Sequence, residues 1–173
     1  MKMYAAAVLC SMMLGLLCGC SILTKEPYRE IRRYDLAMPE ARMPLAAKLP
    51  DVIFNLTPAG QKMLFRTDGL QLVEDPYCLW AQQPEKMLLR YFYNRFQEDT
   101  RQKPVRLTVL TWELNTVAGN AGLSVAAEFR GIRKILRSSA PMTDASGAAA
   151  AEAMSQCCIQ CADQLAAWLK EMQ

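Results

Sequence analysis

The stretch VRLTVLTWELNTVAGNAGLSVAAEFRGIRKIL, residues 105–136, decides the fold. Its first half alternates side chains between two faces, with Val105, Leu107 and Val109 on one and positions 108, 110 and 112 on the other. Such a period of two is typical of a strand. Residues 118–122, Ala-Gly-Asn-Ala-Gly, are suited to reversing the chain, and alternation resumes at 123, 125, 127 and 129. The sequence therefore predicts a long antiparallel hairpin.

Upstream of the hairpin, residues 52–74 also have a strand-like pattern. Val52, Phe54 and Leu56 alternate with other residues, Thr57–Gly60 has the composition of a turn, and short strands are expected at 62–67 and 70–74. We expect an antiparallel ribbon here. A polar loop is expected at residues 138–147, after the hairpin.

Two helices are predicted beside these strands. The segment 80–84 is expected to open the first, because Pro84 near the first helical position costs no hydrogen bond. Trp80 is expected to be a core anchor. The second helix should run from Ala148 to Met172. Apolar residues recur at helical spacing in both helices, which favours packing against a sheet: Met87, Leu88, Tyr91, Phe92 and Phe96, then Met154, Cys158, Cys161, Leu165, Trp168 and Met172.

These elements predict an α+β fold. We expect one domain at residues 51–173, in which an antiparallel sheet carries two main helices on one face. Residues 20–50 contain Pro27, Pro39, Pro44 and Pro50 among scattered charges, and are expected to form an extended tether with a short strand near 34–36.

The amino end, residues 1–19, has the layout of a secretory signal peptide. Its apolar core, residues 3–17, is shorter than the roughly 20 residues with which a helix spans a bilayer. Leu17-Cys18-Gly19-Cys20 fits a lipoprotein processing site, with an aliphatic residue and two small ones before the lipidated cysteine. An uncleaved anchor or an ordinary signal-peptidase cut is the alternative, and either leaves Cys20 without a role. We expect removal of residues 1–19 and lipidation of Cys20.

Lipidation at Cys20 predicts a protein that is held permanently on a membrane. One acyl chain gives only reversible binding, whereas the three chains expected on Cys20 make attachment effectively permanent. Ser21 favours the outer membrane over the inner one, because an Asp at that position would retain an enterobacterial lipoprotein on the inner membrane. The predicted location is the periplasmic side of the cell envelope.

Composition disfavours several classes of function. Histidine is absent, which removes the usual general base and the commonest metal ligand. Carboxylates are scattered in a way that suits a solvated surface: Glu85, Glu98, Asp99, Glu113 and Glu128. Basic and acidic residues are nearly balanced, at 20 and 17, so nothing points to nucleic acid. We expect no enzyme activity, no cofactor and no metal.

The cysteines Cys157, Cys158 and Cys161 form the one local cluster with possible chemistry, and Cys78 is a distant fourth thiol. A zinc site or a thiol-based redox function is the third-ranked hypothesis, since structural zinc sites use paired Cys-x-x-Cys hooks in loops and these residues fall in a helix. The simpler interpretation is that Cys158 and Cys161 serve as small buried apolar residues. The sequence leaves the redox state of all four cysteines open, including a bridge from Cys78 to the terminal helix.

Several motifs occur in an order that resembles a known family. They are Leu17–Cys20, Tyr34-Asp35-Leu36, the ribbon Met63–Thr67, and Tyr77-Cys78-Leu79-Trp80-Ala81 with Pro84 before a helix. With the long hairpin and the terminal helix, the chain resembles the ABC-type transport auxiliary lipoproteins of the paraquat-inducible protein C type, over residues 34–173. The proline-containing stretch 38–50 and the cysteine-rich terminal helix depart from that pattern.

The resemblance implies a non-catalytic, membrane-tethered partner of an ABC permease and ATPase and of an MCE-type protein. Such systems are thought to move phospholipid or other apolar molecules between membranes. A homo-oligomer is compatible with it. The alternative is a stand-alone envelope lipoprotein that binds an apolar ligand or supports envelope assembly. That alternative predicts a sizeable apolar cavity.

Overall fold

The predicted hairpin is present in the structure, a computed structural model that describes residues 28–173. Strand β7 runs Arg106–Asn115 and pairs antiparallel with β8, Asn120–Phe129. A β-bulge between Val109 and Thr111 shifts the alternation by one residue, so Trp112 faces the same buried side as Leu107 and Val109. The expectation that Trp112 lies on the opposite face is therefore wrong.

The strands form one seven-stranded sheet and a separate pair. In chain order the strands are β1 Arg32–Tyr34, β2 Met43–Leu45, β3 Phe54–Asn55, β4 Lys62–Arg66, β5 Leu72–Trp80, β6 Phe96–Glu98, β7, β8 and β9 Ile132–Pro141. The main sheet has the order β1-β5-β4-β7-β8-β9, and β3 joins it on the edge of β7. Antiparallel pairs dominate, but β1–β5, β4–β7 and β3–β7 are parallel. The α+β prediction is confirmed, with a mixed sheet.

Residues 31–50 belong to the folded body, which runs from Ile31 to Gln173. Strand β1 pairs with β5, and β2 pairs with β6. Leu36, Leu45 and Leu49 are each at most 3% exposed. The prediction of an extended tether up to residue 50, and of a domain that begins at 51, is corrected here. Proline did not exclude structure because β2, which contains Pro44, has a single strand partner. The short strand expected near 34–36 is β1.

Helix α1 spans Pro84–Arg95, with Pro84 in its first turn as predicted. Trp80 does not open this helix. It is the last residue of β5, where it is 1% exposed and meets Trp112 edge to face, with ring centroids 5.5 Å apart. The strand predicted at 70–74 is therefore β5, which begins at Leu72 and continues to Trp80. The expectation that Trp80 is a core anchor is confirmed.

Helix α2 spans Gly147–Glu171, close to the predicted bounds. The Ser146 hydroxyl accepts the Ala149 N–H at 3.2 Å and caps its amino end. The polar loop expected at 138–147 is shorter, because β9 continues to Pro141 with Ser138 and Ala140 turned inward. The Gln164 side chain bonds both the N–H and the C=O of Arg137, so α2 covers part of the free edge of β9.

The core lies between the main sheet and α2. Leu107, Val125 and Leu136 are fully buried on neighbouring strands, and α2 packs on β8 and β9. Helix α1 contacts α2 and the short strands β3 and β6. Within residues 28–173, neither helix combines the length and the apolar character that a membrane crossing requires.

Candidate docking surface

The two faces of the main sheet differ in what lies over them. The covered face lies under α2 and forms the core. We call the other one the open face; its central rows, by strand register, are Arg106–Glu128–Arg133, Thr108–Ala126–Ile135 and Thr111–Ser124–Arg137. Most of these side chains are partly or fully exposed. Ile135 and the half-buried Leu110 are the apolar side chains that this face exposes.

Charge is distributed unevenly over the open face. On the β4–β5 side, Arg66 pairs with Glu113 at 2.5 Å and Lys62 with Glu74 at 2.7 Å. On the β9 side, Arg106, Arg133 and Arg137 make no ion pair with any residue in the described range. One carboxylate, Glu128, lies beside Arg106 and Arg133 in the strand register. This end of the open face therefore carries free positive charge.

A row of apolar side chains borders the open face at β3. Val52, Phe54 and Leu56, which we call the rim stripe, are 58%, 51% and 71% exposed, whereas Ile53 between them is 2% exposed. The alternation predicted at these positions is present, but the three apolar residues point to solvent and not into the core. Sequence reasoning missed this surface. The consecutive apolar residues 52–54 allow either face to point inward, so the pattern alone does not set the direction.

The inward side chain of Asn55 fixes that direction. Its amide group donates to the Ala59 carbonyl at 3.3 Å and to the Glu85 carboxylate at 3.0 Å, and its oxygen accepts the Thr57 N–H at 2.9 Å. The Leu56 N–H also donates to the Val109 carbonyl at 3.0 Å. Because these bonds hold Asn55 inward, its neighbours Phe54 and Leu56 must point outward.

Phe54 stands between two hollows. The first, of about 290 Å³, lies on the open face and is lined by Leu56, Arg106, Glu128 and Arg133. The Arg106 guanidinium sits over the Phe54 ring, 5.5 Å from its centroid. The second, of about 490 Å³, lies toward α1. It is lined by apolar residues of 52–54 and by Asp51, Glu85 and Lys86.

A larger groove lies on another part of the body, between the β2–β6 pair and the second half of α2. Its volume is about 800 Å³, and Met43, Leu45 and Ala166 form its apolar part. Asp99 pairs with Arg101, and Asp163 with Arg95. Lys170 makes no ion pair within residues 28–173, so it is the free cation of this groove.

The cysteines of α2 are buried in the core. Cys157, Cys158 and Cys161 are fully buried, and all four described cysteines are free thiols. Burial raises the pKa of Cys157 to about 11 and that of Cys161 to about 12, and raises the pKa of Cys158 and of the half-buried Cys78 as well. Such thiols stay protonated at neutral pH. The interpretation of Cys158 and Cys161 as small apolar core residues is confirmed.

The sequence also singled out Cys20, the surface carboxylates and possible metal ligands. Cys20 and the signal peptide lie outside the described residues. Among the five carboxylates expected on the surface, Glu98 accepts the Leu49 N–H at 2.7 Å, while Glu85, Asp99 and Glu113 have the partners given above. Residues 28–173 contain no cluster of three or more Cys, Asp or Glu residues arranged to hold a metal ion.

The fold is shared with solved structures of proteins that are not characterised. One, a crystal structure of an uncharacterised protein, superposes with a TM-score of 0.63 and 13% identity, over 84% of this chain and all of that one. A second, a Xanthomonas campestris protein of the DUF330 family, gives a TM-score of 0.59 and 17% identity, over 82% of this chain and 97% of its own. No protein-family model and no curated protein matches the chain. At these identities the likeness concerns the fold alone.

Proposed function

We propose that the chain is an accessory lipoprotein of an ABC-type transport system that works with an MCE-type protein on phospholipid or other apolar molecules. Cys20 carries the acyl chains that hold it on the periplasmic side of the envelope, at the outer membrane. Its role is to dock onto other components and not to catalyse a reaction. The ordered motifs from Tyr34 to the terminal helix support this membership, and Leu17–Cys20 supports the anchor.

The open face is the observation that carries the docking role. The face exposes Ile135 and part of Leu110. They lie beside Arg106, Arg133 and Arg137, which make no ion pair within residues 28–173. Interfaces between proteins share this composition, with an apolar centre and arginine enrichment. The buried thiols of α2, with their raised pKa, offer no comparable chemistry. The docking role therefore rests on the open face and not on the fold.

Purification of the full-length chain from membranes in detergent tests the proposal. We expect an ABC permease, its ATPase and an MCE-type protein to copurify with it. We also expect mass spectrometry to find an acylated Cys20 as the first residue. Recovery of none of these partners would refute the transport role, whereas an unmodified Cys20 would refute the anchor alone.

A Cys20→Ala chain separates the anchor from the fold. It should fold as the parent does but leave the membrane fraction, because no acyl chain holds it there. Circular dichroism and membrane fractionation measure the two properties. A variant that remains membrane-bound and functional would contradict the proposed role of Cys20.

The second candidate is a stand-alone envelope lipoprotein that binds an apolar ligand. The groove between β2–β6 and α2 favours it, because about 800 Å³ accommodates a lipid chain and Lys170 offers a cation to an anionic head group. Native mass spectrometry of the detergent-purified chain distinguishes the candidates. Bound lipid without transporter partners supports this second function, and partners without bound lipid support the first.

A further inference from the structure

The geometry points to a second copy of this chain as the occupant of the rim stripe, in a two-fold dimer. In such a dimer the same surface of each copy meets that of the other, so it must be complementary to itself. The rim stripe and its two hollows meet this condition in shape and in charge. The inference is independent of the proposed transport role.

The apolar part of the interface is the rim stripe itself. Val52, Phe54 and Leu56 are each more than half exposed. Side chains two residues apart in an extended strand are separated by about 6.6 Å, so the stripe spans about 13 Å. Two stripes that lie side by side along a two-fold axis near Phe54 remove all six side chains from water.

The two hollows receive the side chains of the other copy. Phe54 lines both of them, so it forms the ridge that divides the hollow of about 290 Å³ from that of about 490 Å³. A ridge with a hollow on each side suits a second ridge that is displaced across the axis. Each hollow is large enough for an aliphatic or aromatic side chain.

The two hollows have opposite net charge. The open-face hollow has two cations and one anion, Arg106, Arg133 and Glu128. The hollow near α1 has two anions and one cation, Asp51, Glu85 and Lys86. A two-fold axis along the ridge sets each hollow against a hollow of opposite net charge. Complementary potentials of this kind specify a partner.

This arrangement favours a second copy over a membrane as the occupant. An anionic lipid surface attracts the side with Arg106 and Arg133 but repels the side with Asp51 and Glu85. The dimer covers Arg106 and Arg133 but leaves Leu110, Ile135 and Arg137 on the open face uncovered, so a transport component can still dock on that part of the face.

Native mass spectrometry of the full-length chain, purified in detergent at micromolar concentration, tests the dimer through two charge variants. Arg106→Glu with Arg133→Glu makes both hollows acidic. Asp51→Lys makes both basic, and it keeps the Glu85 carboxylate that accepts the hydrogen bond from Asn55. We expect the parent chain to be a dimer. Each variant alone should associate at least about tenfold more weakly, because like charges then face each other on both sides of the axis.

Mixing the two variants is the decisive test of charge complementarity. A chain with two acidic hollows complements a chain with two basic ones, so the mixture should contain the heterodimer and little of either homodimer. A chain with Arg106→Glu, Arg133→Glu and Asp51→Lys together should again form a homodimer. A misfolded variant would not recover in the mixture, so recovery also excludes unfolding as the cause of lost association.

A matched control exchanges a charge pair away from the stripe. Lys62→Glu with Glu74→Lys reverses an exposed ion pair on β4 and β5, and should leave the dimer unchanged. Four results would each overturn the inference. They are a monomeric parent chain, an assembly larger than a dimer, a dimer that the substitutions in the hollows do not weaken, and a mixture without heterodimer.

Discussion

Leu136 and Ile135 are neighbours on β9, yet the sheet gives them opposite surroundings. Leu136 points to the covered face and is fully buried under α2, whereas Ile135 points to the open face and is 36% exposed. Their chemistry is almost the same, so the difference lies in position alone. It separates the residues that hold the fold together from those that are available for binding.

This contrast extends over the whole sheet. The covered face carries large side chains that are buried under α2, such as Leu107, Leu123 and Leu136. The open face carries fewer large apolar residues, and between them lie arginines that make no ion pair within residues 28–173. Stability and recognition therefore depend on different side chains of the same strands, which substitutions can separate.

Leu136→Ala should produce the largest effect of the changes considered. It removes a fully buried side chain and leaves a cavity beside α2, so we expect a loss of about 3 kcal/mol in the free energy of unfolding. Denaturant titration followed by circular dichroism measures it. A loss below about 1 kcal/mol would break the distinction between the two faces.

Alkaline pH should have the next largest effect, a decrease in the free energy of unfolding. The thiols of Cys157 and Cys161 have pKa values near 11 and 12 in the folded chain, against an ordinary value of 9.0. Unfolded thiols release their protons first, so the free energy of unfolding falls as pH rises through about 9 toward 11. We expect a loss of about 1 kcal/mol per thiol at pH 10.

The matched variant for this pH dependence is Cys157→Ala with Cys158→Ala and Cys161→Ala. It should be less stable than the parent at neutral pH but lose less on going from pH 8 to pH 10. Equal pH dependence in both chains would show that other groups cause the alkaline loss. Denaturant titrations at the two pH values make the comparison.

Ser146→Ala should have a smaller effect on the same helix. The change removes the hydroxyl that accepts the Ala149 N–H, so the first turn of α2 loses its cap. We expect about 1 kcal/mol of destabilisation, with most of it recovered in Ser146→Asp. Equal stability of the Ala and Asp variants would exclude a capping role. Thermal unfolding distinguishes them.

Ile135→Ala should have the smallest effect on folding. Its side chain is partly exposed on the open face, so its loss should cost about 0.5 kcal/mol. The same substitution should reduce the amount of transport partner that copurifies. A cost equal to that of Leu136→Ala would mean that the open face is a second core.

The sequence predicted elements whose pattern is locally strong. The β7–β8 hairpin, helix α2 and the buried position of Trp80 follow from alternation, helical spacing and side-chain size. The bulge at Val109–Thr111 was not predictable, because a single extra residue has no signature in the apolar pattern. Strand β2 was missed, because its partner β6 is parallel to it and distant in sequence.

The candidate docking surface was predictable only in part. The apolar residues 52–54 signal a strand, but its direction depends on the Asn55 hydrogen bonds to Ala59 and to Glu85 on helix α1. Likewise, the arginines of β9 become one patch with Arg106 only through strand register. Tertiary contacts, and not the local pattern, therefore set both features.

Carbene footprinting of the open face tests the central claim most directly. The full-length chain is labelled in intact cell envelopes and again after purification from its partners, and labelling at Leu110 and Ile135 is compared. If the open face binds a component of the envelope, both residues should be labelled severalfold less in the envelope, while Leu136 stays unlabelled in both samples. Equal labelling of Leu110 and Ile135 in the two samples would contradict the account.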